Sequence, residues 1–161
     1  MTSFSLQKAA VNVLFFRNAQ TLYGDDGLRP ATAGAVGIDL RACPADGEAV
    51  AIPPGERRAI GSGLAIEPLM PGVAGFVFSR SGLGAVKGLV VAQGVGLIDP
   101  DYRGEITVFL LNTGNDAYIV QNGERIAQLV FLPYLQADCS IVSGLGETDR
   151  GAGGFGHTGK R

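Results

Sequence analysis

The chain has 161 residues, of which 46% are hydrophobic and 17% charged, and its formal net charge is −2. This length suits one domain with an ordinary hydrophobic core, and the small share of charged residues indicates that part of the apolar surface meets another subunit. The acidic balance provides no basic field, so it argues against a nucleic-acid backbone or an anionic membrane as a partner.

Glycine is the outlier of the composition, because 25 glycines and 8 prolines divide the chain into short segments rich in Val, Ile, Leu and Phe. Segments of this length and composition predict β-strands. The predicted strands cover residues 10–16, 36–42, 57–60, 64–67, 73–78, 89–92, 105–111, 117–120, 125–132 and 138–142. One helical turn is expected near residues 83–87. Many short strands without alternating helices predict an all-β fold, either an antiparallel sandwich, of which the jelly roll is one kind, or a barrel.

Residues 143–161 differ from the rest of the chain, with seven glycines and no apolar periodicity. This composition cannot build a core. We therefore expect a folded domain over residues 1–142 and a C-terminal arm over residues 143–161. The arm has glycine N–H groups that can converge on an anion, positive charge on Arg150 and Lys160, and the ring of Phe155, which suit a lid over a nucleotide, the alternative being a solvated terminus. Residues 154–160 spell GxxxxGK, but Arg161 follows where a P-loop has Ser or Thr, so the P-loop interpretation fails.

The side chains present limit the chemistry that the protein can perform. The only histidine is His157, so a Ser-His-Asp triad or a histidine-rich zinc site is hard to assemble. Cys43 and Cys139 are too few for a disulfide scaffold. Residues 1–8 lack the pattern of a secretory signal, so a reducing cytoplasm is the expected compartment. Any catalysis therefore depends on carboxylates, hydroxyls, amides and backbone groups.

Several polar residues are candidates for binding or catalysis. Residues 79–84 place a guanidinium, hydroxyls and glycine amides after an apolar strand, which suits a phosphate cradle or an ordinary turn. Asp99 precedes Pro100 in a turn where it can activate water or remain a solvent-exposed turn residue. Gln128 and Asp39 have aliphatic neighbours, where an unbonded polar group costs on the order of 1 to 3 kcal/mol. Each therefore contacts a ligand or has a structural role. The structural alternative for Gln128 is a satisfied hydrogen bond or a subunit contact, and for Asp39 it is a bond to backbone or arginine.

Taken in order, these segments resemble the five motifs of the trimeric dUTPase family. Each motif is modest by itself, but five in sequence at the family's spacing form a specific signal. The matching segments are residues 35–42, 79–84, 96–104, 123–128 and 150–159.

The resemblance implies a jelly-roll homotrimer with shared active sites that hydrolyses dUTP to dUMP and pyrophosphate. In such an enzyme Asp99 would activate the water that attacks the α-phosphorus. Mg²⁺ would be the cofactor, bound through the phosphates and water with no direct protein ligand, and Asp39 would be at most an outer-shell anchor. The phosphates would be held by Arg80, Ser81, Gly82 and Gln128.

The same resemblance assigns the remaining substrate contacts. Tyr102 would pack against the sugar and exclude a 2′-hydroxyl, and Phe155 would stack on uracil. The uracil edge would be read largely by backbone around Gln93, Leu97, Ile98 and Thr107. The terminal phosphate would be bound by the arm through Arg150, Gly156, His157 and Thr158.

Three positions depart from the family pattern, and two other functions compete. Gln93 stands where Asn is common, Ser79 where Pro is common, and His157 where Ser is frequent. Gln93 matters most, because its longer side chain changes the reach toward the base. The nearest alternative is a dCTP deaminase, whose catalytic glutamate would fall at Phe109 here. The other is a noncatalytic nucleotide-binding trimer that regulates a partner protein.

Overall fold

The computed structural model describes residues 8–154. Within them the chain forms eleven strands and two short helical turns. The strands are β1 (Val11–Phe15), β2 (Ile38–Arg41), β3 (Val50–Ile52), β4 (Arg57–Gly61), β5 (Leu64–Pro68), β6 (Val73–Phe78), β7 (Leu89–Val91), β8 (Val95–Ile98), β9 (Thr107–Asn112), β10 (Tyr118–Val120) and β11 (Arg125–Pro133). The helical turns are α1 (Gln20–Tyr23) and the π-helical turn α2 (Gly82–Val86). Neither is long and apolar enough to span a bilayer.

Glycine and proline mark the strand ends as expected, since nine of the ten predicted strands correspond to strands of the structure. The predicted strand over residues 138–142 is wrong, because this segment is exposed and forms no strand. Its side chains have the right composition, but a strand also needs a neighbouring strand to pair with. The sequence pattern also misses two short strands. Pro53 directly follows β3, and Gly96 interrupts β8.

The strands form one body around a shared core, as expected of the jelly-roll class. A four-stranded antiparallel sheet has the order β2-β11-β6-β8, and a three-stranded antiparallel sheet has the order β4-β9-β7. Two further pairs, β1 with β5 and β10 with β3, extend the body. Both larger sheets contribute fully buried aliphatic side chains to a single cluster, among them Leu40, Val77, Leu129, Ile60, Val108 and Leu110.

One side of the four-stranded sheet covers the core, and the other side carries apolar residues that the chain leaves partly uncovered. Gln128 is paired with both Asp39 and Phe78, and these three share the uncovered side because side chains alternate along a strand. On the same side, Leu97 is 57% exposed and Val95 is 44% exposed. The apolar residues of this side, which we call the outer face, are Phe76, Phe78, Val95, Leu97 and Val130.

The connection between β1 and β2 is tied to the core through Tyr23. Its buried hydroxyl donates to the Ser62 carbonyl at 2.9 Å and accepts from the Arg41 N–H at 3.0 Å. Burial raises the pKa of Tyr23 to about 12, so the hydroxyl keeps its proton at neutral pH. Residues 17–29, which lie between the predicted strands over residues 10–16 and 36–42, therefore include a helical turn packed on the core.

Candidate active site

A largely buried carboxylate joins two arginines at one end of the four-stranded sheet. Arg80 Nε donates to Asp39 Oδ1 at 2.9 Å, and Arg125 Nη1 donates to Asp39 Oδ2 at 3.1 Å. Arg80 Nη1 also donates to the Arg125 carbonyl at 3.2 Å. The Asp39 side chain is 15% exposed and that of Arg80 is 24% exposed. We call Asp39, Arg80 and Arg125 the arginine cluster, in which the carboxylate fixes the direction of both guanidinium groups.

The other predicted phosphate contacts adjoin the arginine cluster. Ser81 and Gly82 follow Arg80 at the start of α2, and both are exposed. Gln128 lies on β11 opposite Asp39, and within residues 8–154 no hydrogen bond engages its half-buried amide. The structure therefore brings Arg80, Ser81, Gly82 and Gln128 to the same end of the sheet.

Ser79, which departs from the family pattern, has a defined structural role. Its Oγ accepts a hydrogen bond from the Val91 N–H at 2.8 Å, which ties the segment before α2 to β7. The Gly84 N–H donates to the Arg80 carbonyl at 2.7 Å and closes the first turn of α2. A hydroxyl thus holds in place the segment that carries Arg80.

A second polar site is a cleft of about 310 Å³ beside β8 and β9. We call it the Asp99 cleft. Its wall also includes Glu105 and the ring of Phe109, which is 48% exposed. Six residues assigned from the sequence line it together, namely Gln93, Leu97, Ile98, Asp99, Tyr102 and Thr107.

The turn that carries Asp99 is closed by its own backbone and by Tyr102. The Tyr102 N–H donates to the Asp99 carbonyl at 3.1 Å, which confirms the turn predicted around Pro100. The Tyr102 hydroxyl donates to the Glu105 carbonyl at 3.1 Å. Its ring lies so close to Gly104 that any side chain at that position would collide with it. Tyr102 is therefore fixed at the mouth of the cleft, while the Asp99 carboxylate stays exposed.

Two charged residues that the sequence analysis did not single out support this turn. Arg17 Nη1 donates to Glu105 Oε2 at 2.8 Å, and the Gly63 N–H donates to Glu105 Oε1 at 2.7 Å. Burial alone would raise the pKa of Glu105, but the hydrogen bonds from Arg17 and Gly63 outweigh burial and hold that pKa below its usual value. Arg17 and Glu105 are 88 positions apart in the chain, so no local pattern could reveal the pair.

Asp99 and the arginine cluster lie at opposite ends of the pair formed by β6 and β8. These strands are antiparallel and paired over four residues, which is three steps of strand or roughly 10 Å. Arg80 follows the end of β6 at Phe78, whereas Asp99 follows the end of β8 at Ile98. Within one chain, Asp99 and the predicted phosphate contacts therefore do not meet.

The described residues of the arm, 143–154, are not part of either site within the chain. Residues 134–154 form no helix or strand and are almost all exposed. Within residues 8–154 the Arg150 side chain makes one hydrogen bond, from Nε to the Gly153 carbonyl at 2.8 Å. The other arm residues assigned to substrate lie outside the described residues, and they are Phe155, Gly156, His157 and Thr158.

The fold and the two sites define the class as an all-β, jelly-roll protein with a divided polar site. The model of the dUTPase family matches residues 26–159. The deoxyuridine 5'-triphosphate nucleotidohydrolase of Enterobacter sp. (strain 638) is 48% identical over 131 residues, which cover 81% of this chain and 85% of that protein. The chain belongs to the dUTPase family.

Solved structures agree with this assignment. The dUTPase from Streptococcus mutans has a TM-score of 0.65 and 29% identity, covering 79% of this chain and 98% of its own. A variant of Staphylococcus bacteriophage 80alpha dUTPase with dUpNHpp has a TM-score of 0.74 over 93% of this chain and 98% of its own. At 23% identity, the phage enzyme supports the fold alone.

Proposed function

We propose that the protein is a dUTP diphosphatase that hydrolyses dUTP to dUMP and pyrophosphate. This activity would limit uracil incorporation into DNA and supply dUMP for dTMP synthesis. The observation that carries the proposal is the Asp99 cleft, in which five nucleoside contacts assigned from the sequence surround one exposed carboxylate. Membership of the dUTPase family supports it, as does a relative named for dUTP hydrolysis.

Asp99 acts as the general base. Its carboxylate is exposed, so water can reach it, and the Tyr102 N–H bond to the Asp99 carbonyl closes the turn that carries it. The carboxylate accepts a proton from this water while the water oxygen bonds to the α-phosphorus. The bond from the α-phosphorus to the bridging oxygen then breaks, and pyrophosphate leaves. Tyr102 packs against the deoxyribose, where its fixed ring leaves no room for a 2′-hydroxyl.

Uracil is read by the backbone of β8 and its neighbours. β8 is the last strand of its sheet, so the N–H and C=O groups on its outer edge have no partner strand in the described chain. Such an edge offers alternating donors and acceptors, as a complementary base does. The Gln93 amide lies near Gly96 on this strand, and Thr107, the first residue of β9, also lines the cleft. Cytosine presents the wrong donors, and a 5-methyl group clashes.

The triphosphate is held at the arginine cluster of another copy. Arg80, with Ser81, Gly82 and Gln128, supplies positive charge, hydroxyl and amide groups in one place. The Asp39 carboxylate keeps the guanidinium of Arg80 oriented before the substrate arrives, which reduces the entropy lost on binding.

Mg²⁺ fits this site as an ion carried by the substrate. Within residues 8–154, no three His, Cys, Asp or Glu side chains gather in a way that could hold a metal. Asp39, assigned an outer-shell role, is already engaged by two arginines. Triphosphate oxygens and water are the ligands that Mg²⁺ prefers, and the bound ion would neutralise charge on the departing pyrophosphate. The residues of this chain hold the phosphates that carry it.

The separation between Asp99 and Arg80 supports the proposal of a homotrimer with shared sites. A second copy must bring its arginine cluster to the first copy's Asp99, and the outer face offers an uncovered apolar surface for that contact. The arm of residues 143–161 then closes over a site of the trimer. In this proposal the arm supplies Arg150, Phe155, Gly156, His157 and Thr158.

The alternatives lack a supporting observation. At the position of the deaminase glutamate the Asp99 cleft has the ring of Phe109, which cannot transfer protons. A noncatalytic role leaves the exposed carboxylate without a task. The two free cysteines, Cys43 and Cys139, suit an enzyme of a reducing cytoplasm.

One assay tests the proposed function. The purified full-length protein is incubated with Mg²⁺ and each deoxynucleoside triphosphate in turn, and the products are identified. We expect pyrophosphate and the monophosphate from dUTP, with dTTP and dCTP much poorer substrates. Ammonia released from dCTP would establish deamination, and no product from any nucleotide would establish the noncatalytic alternative.

A further inference from the structure

Arg17 occupies an unusual backbone position in the connection after β1. Arg17 and Asn18 have φ angles of 48° and 59°, a left-handed conformation that residues other than glycine adopt at a cost. This conformation directs the Arg17 side chain back over the body. There, Nη2 donates to the Cys43 carbonyl at 3.1 Å and to Glu105 Oε1, while Nη1 donates to Glu105 Oε2.

The Arg17–Glu105 pair is built into the body. The two side chains are 35% and 20% exposed. Glu105 Oε1 also accepts the Gly63 N–H, so the carboxylate joins the β1 connection to the turn between β4 and β5. The pair crosses Gly61, where any side chain would collide with the Glu105 carboxylate. A two-bond arginine–carboxylate contact with a third donor is more rigid than an ordinary surface ion pair.

A short series of bonds connects this pair to Asp99. The Glu105 carbonyl accepts from the Tyr102 hydroxyl, and the Tyr102 N–H donates to the Asp99 carbonyl. Within residues 8–154, residues 99–105 contain no helix or strand and make no backbone hydrogen bond to a strand, whereas the next residue, Ile106, is bonded through its backbone to Ser62 and Leu64. Glu105 and Ile106 thus together fasten the loop that carries Asp99 and Tyr102 to the body.

We propose that Arg17 is a positioning residue for the Asp99 turn, acting through Glu105. The expected effect on catalysis rests on the proposed function, whereas the expected effect on the order of the turn rests only on the hydrogen bonds around Glu105. Displacing a reacting group by about 1 Å can cost on the order of a hundredfold in rate, so a loop held by side chains needs such a fastening. A second, more exposed tie, from Arg103 to Glu67 at 2.8 Å, leaves part of the order intact when Arg17 is lost.

The test compares Arg17→Met with Arg29→Met in the full-length protein. Arg29 belongs to the same connection and also forms an ion pair, with Asp26, but these side chains are 76% and 81% exposed and touch neither site. We expect Arg17→Met to lower kcat on the order of tenfold with a smaller change in KM. Arg17→Lys should recover part of kcat, because a lysine can replace one of the two bonds. Arg29→Met should match the unaltered protein.

Amide hydrogen exchange without nucleotide provides a readout that does not depend on catalysis. Arg17→Met should speed exchange in residues 99–107, and Arg29→Met should not. Unchanged exchange in this segment overturns the inference, whatever the enzyme does. If the unaltered protein releases no pyrophosphate from dUTP, the proposed function fails, but the exchange comparison still decides whether Arg17 orders the turn.

Glu105→Gln separates positioning from general folding. It keeps the size of the side chain and leaves Arg17 in place, so it tests the same link if Arg17→Met does not fold. When combined with Arg17→Met, its loss in kcat should not add to that of the single variant. Fully additive losses would mean that Arg17 acts by another route and would overturn the inference.

Discussion

The arginine cluster and the Asp99 cleft are built in different ways. Asp39 and Gln128 lie opposite each other on paired strands, so the backbone ladder fixes their separation. Asp99 and Tyr102 lie on a loop, and side-chain bonds to Glu105 and Arg17 replace the missing ladder. The first site is preorganised to hold charge, whereas the second depends on a few contacts and is easier to disturb.

The exposed surface follows the same division. The arginine cluster borders the outer face, whose Leu97 and Val95 remain partly exposed in one chain. In the proposed trimer, the arginine cluster of one copy meets the Asp99 cleft of another.

The largest effect is expected from Asp99→Asn, which removes the general base but keeps the size of the side chain. We expect kcat to fall by about a thousandfold, within the usual contribution of a general base. The arginine cluster is untouched, so affinity for dUpNHpp should stay within about threefold and the oligomeric state should not change. Asp101→Asn, in the same exposed turn, is the matched control and should retain activity. Full activity of Asp99→Asn would refute the assigned role.

The next largest effect is expected from truncation after Ser143. The removed residues include no helix or strand of the described chain, so the melting temperature and oligomeric state should be preserved. Loss of the closing arm should lower kcat/KM on the order of a hundredfold. A chain ending at Gly154 keeps Arg150 and loses Phe155. Its kcat/KM should lie between that of the full-length protein and that of the chain truncated after Ser143. An unimpaired truncated enzyme would disprove the role of the arm.

Local chemistry was predictable from the sequence, and long-range contacts were not. The segment from Arg80 to Gly82 and the turn at Asp99 are short stretches, and their residue types are enough to predict phosphate binding for the first and activation of water for the second. The partners of Asp39 and Glu105 include Arg125 and Arg17, which lie 86 and 88 positions away. Such pairs depend on how the strands are ordered in the sheets, which composition and spacing do not specify.

The errors in the strand predictions have related causes. The sequence pattern misses β8 because Gly96 interrupts it, yet a glycine suits the narrow space there, since a Cβ would approach the Val77 Cβ to 3.2 Å. Residues 138–142 have strand composition without a partner strand in the described chain. In both cases the presence or absence of a neighbouring strand determines whether the segment forms a strand, because strand propensity reflects the packing of a segment against other strands.

A moderate effect is expected from Asp39→Asn, which weakens the arginine cluster. The neutral amide holds two guanidinium groups less firmly and places an N–H donor against one of them. We expect KM for dUTP to rise on the order of tenfold, the equivalent of about 1.4 kcal/mol of lost binding, with kcat little changed. Asp26→Asn, which breaks an exposed ion pair elsewhere, is the control. A fall in kcat at constant KM would place Asp39 in the chemical step instead.

The smallest effect is a pH dependence of stability at Glu105. Because its pKa is held below the unfolded value, the ionised carboxylate stabilises the fold above about pH 4.5, and this contribution is lost as the pH falls through the folded pKa. At pH 7, Glu105→Gln should lower the free energy of unfolding by about 1 kcal/mol, a value reduced for the partial exposure of the pair.

The difference between the two proteins should shrink as the pH falls through the lowered pKa of Glu105, because the protonated carboxyl is then neutral like the amide of the variant. Denaturant titrations at equal protein concentration measure it, since oligomers gain stability with concentration. A difference that stays constant from pH 7 to pH 3.5 would mean that the Glu105 charge does not stabilise the fold. The turn that carries Asp99 would then be held by packing. Its order should persist at acid pH, where the Arg17–Glu105 contact is lost.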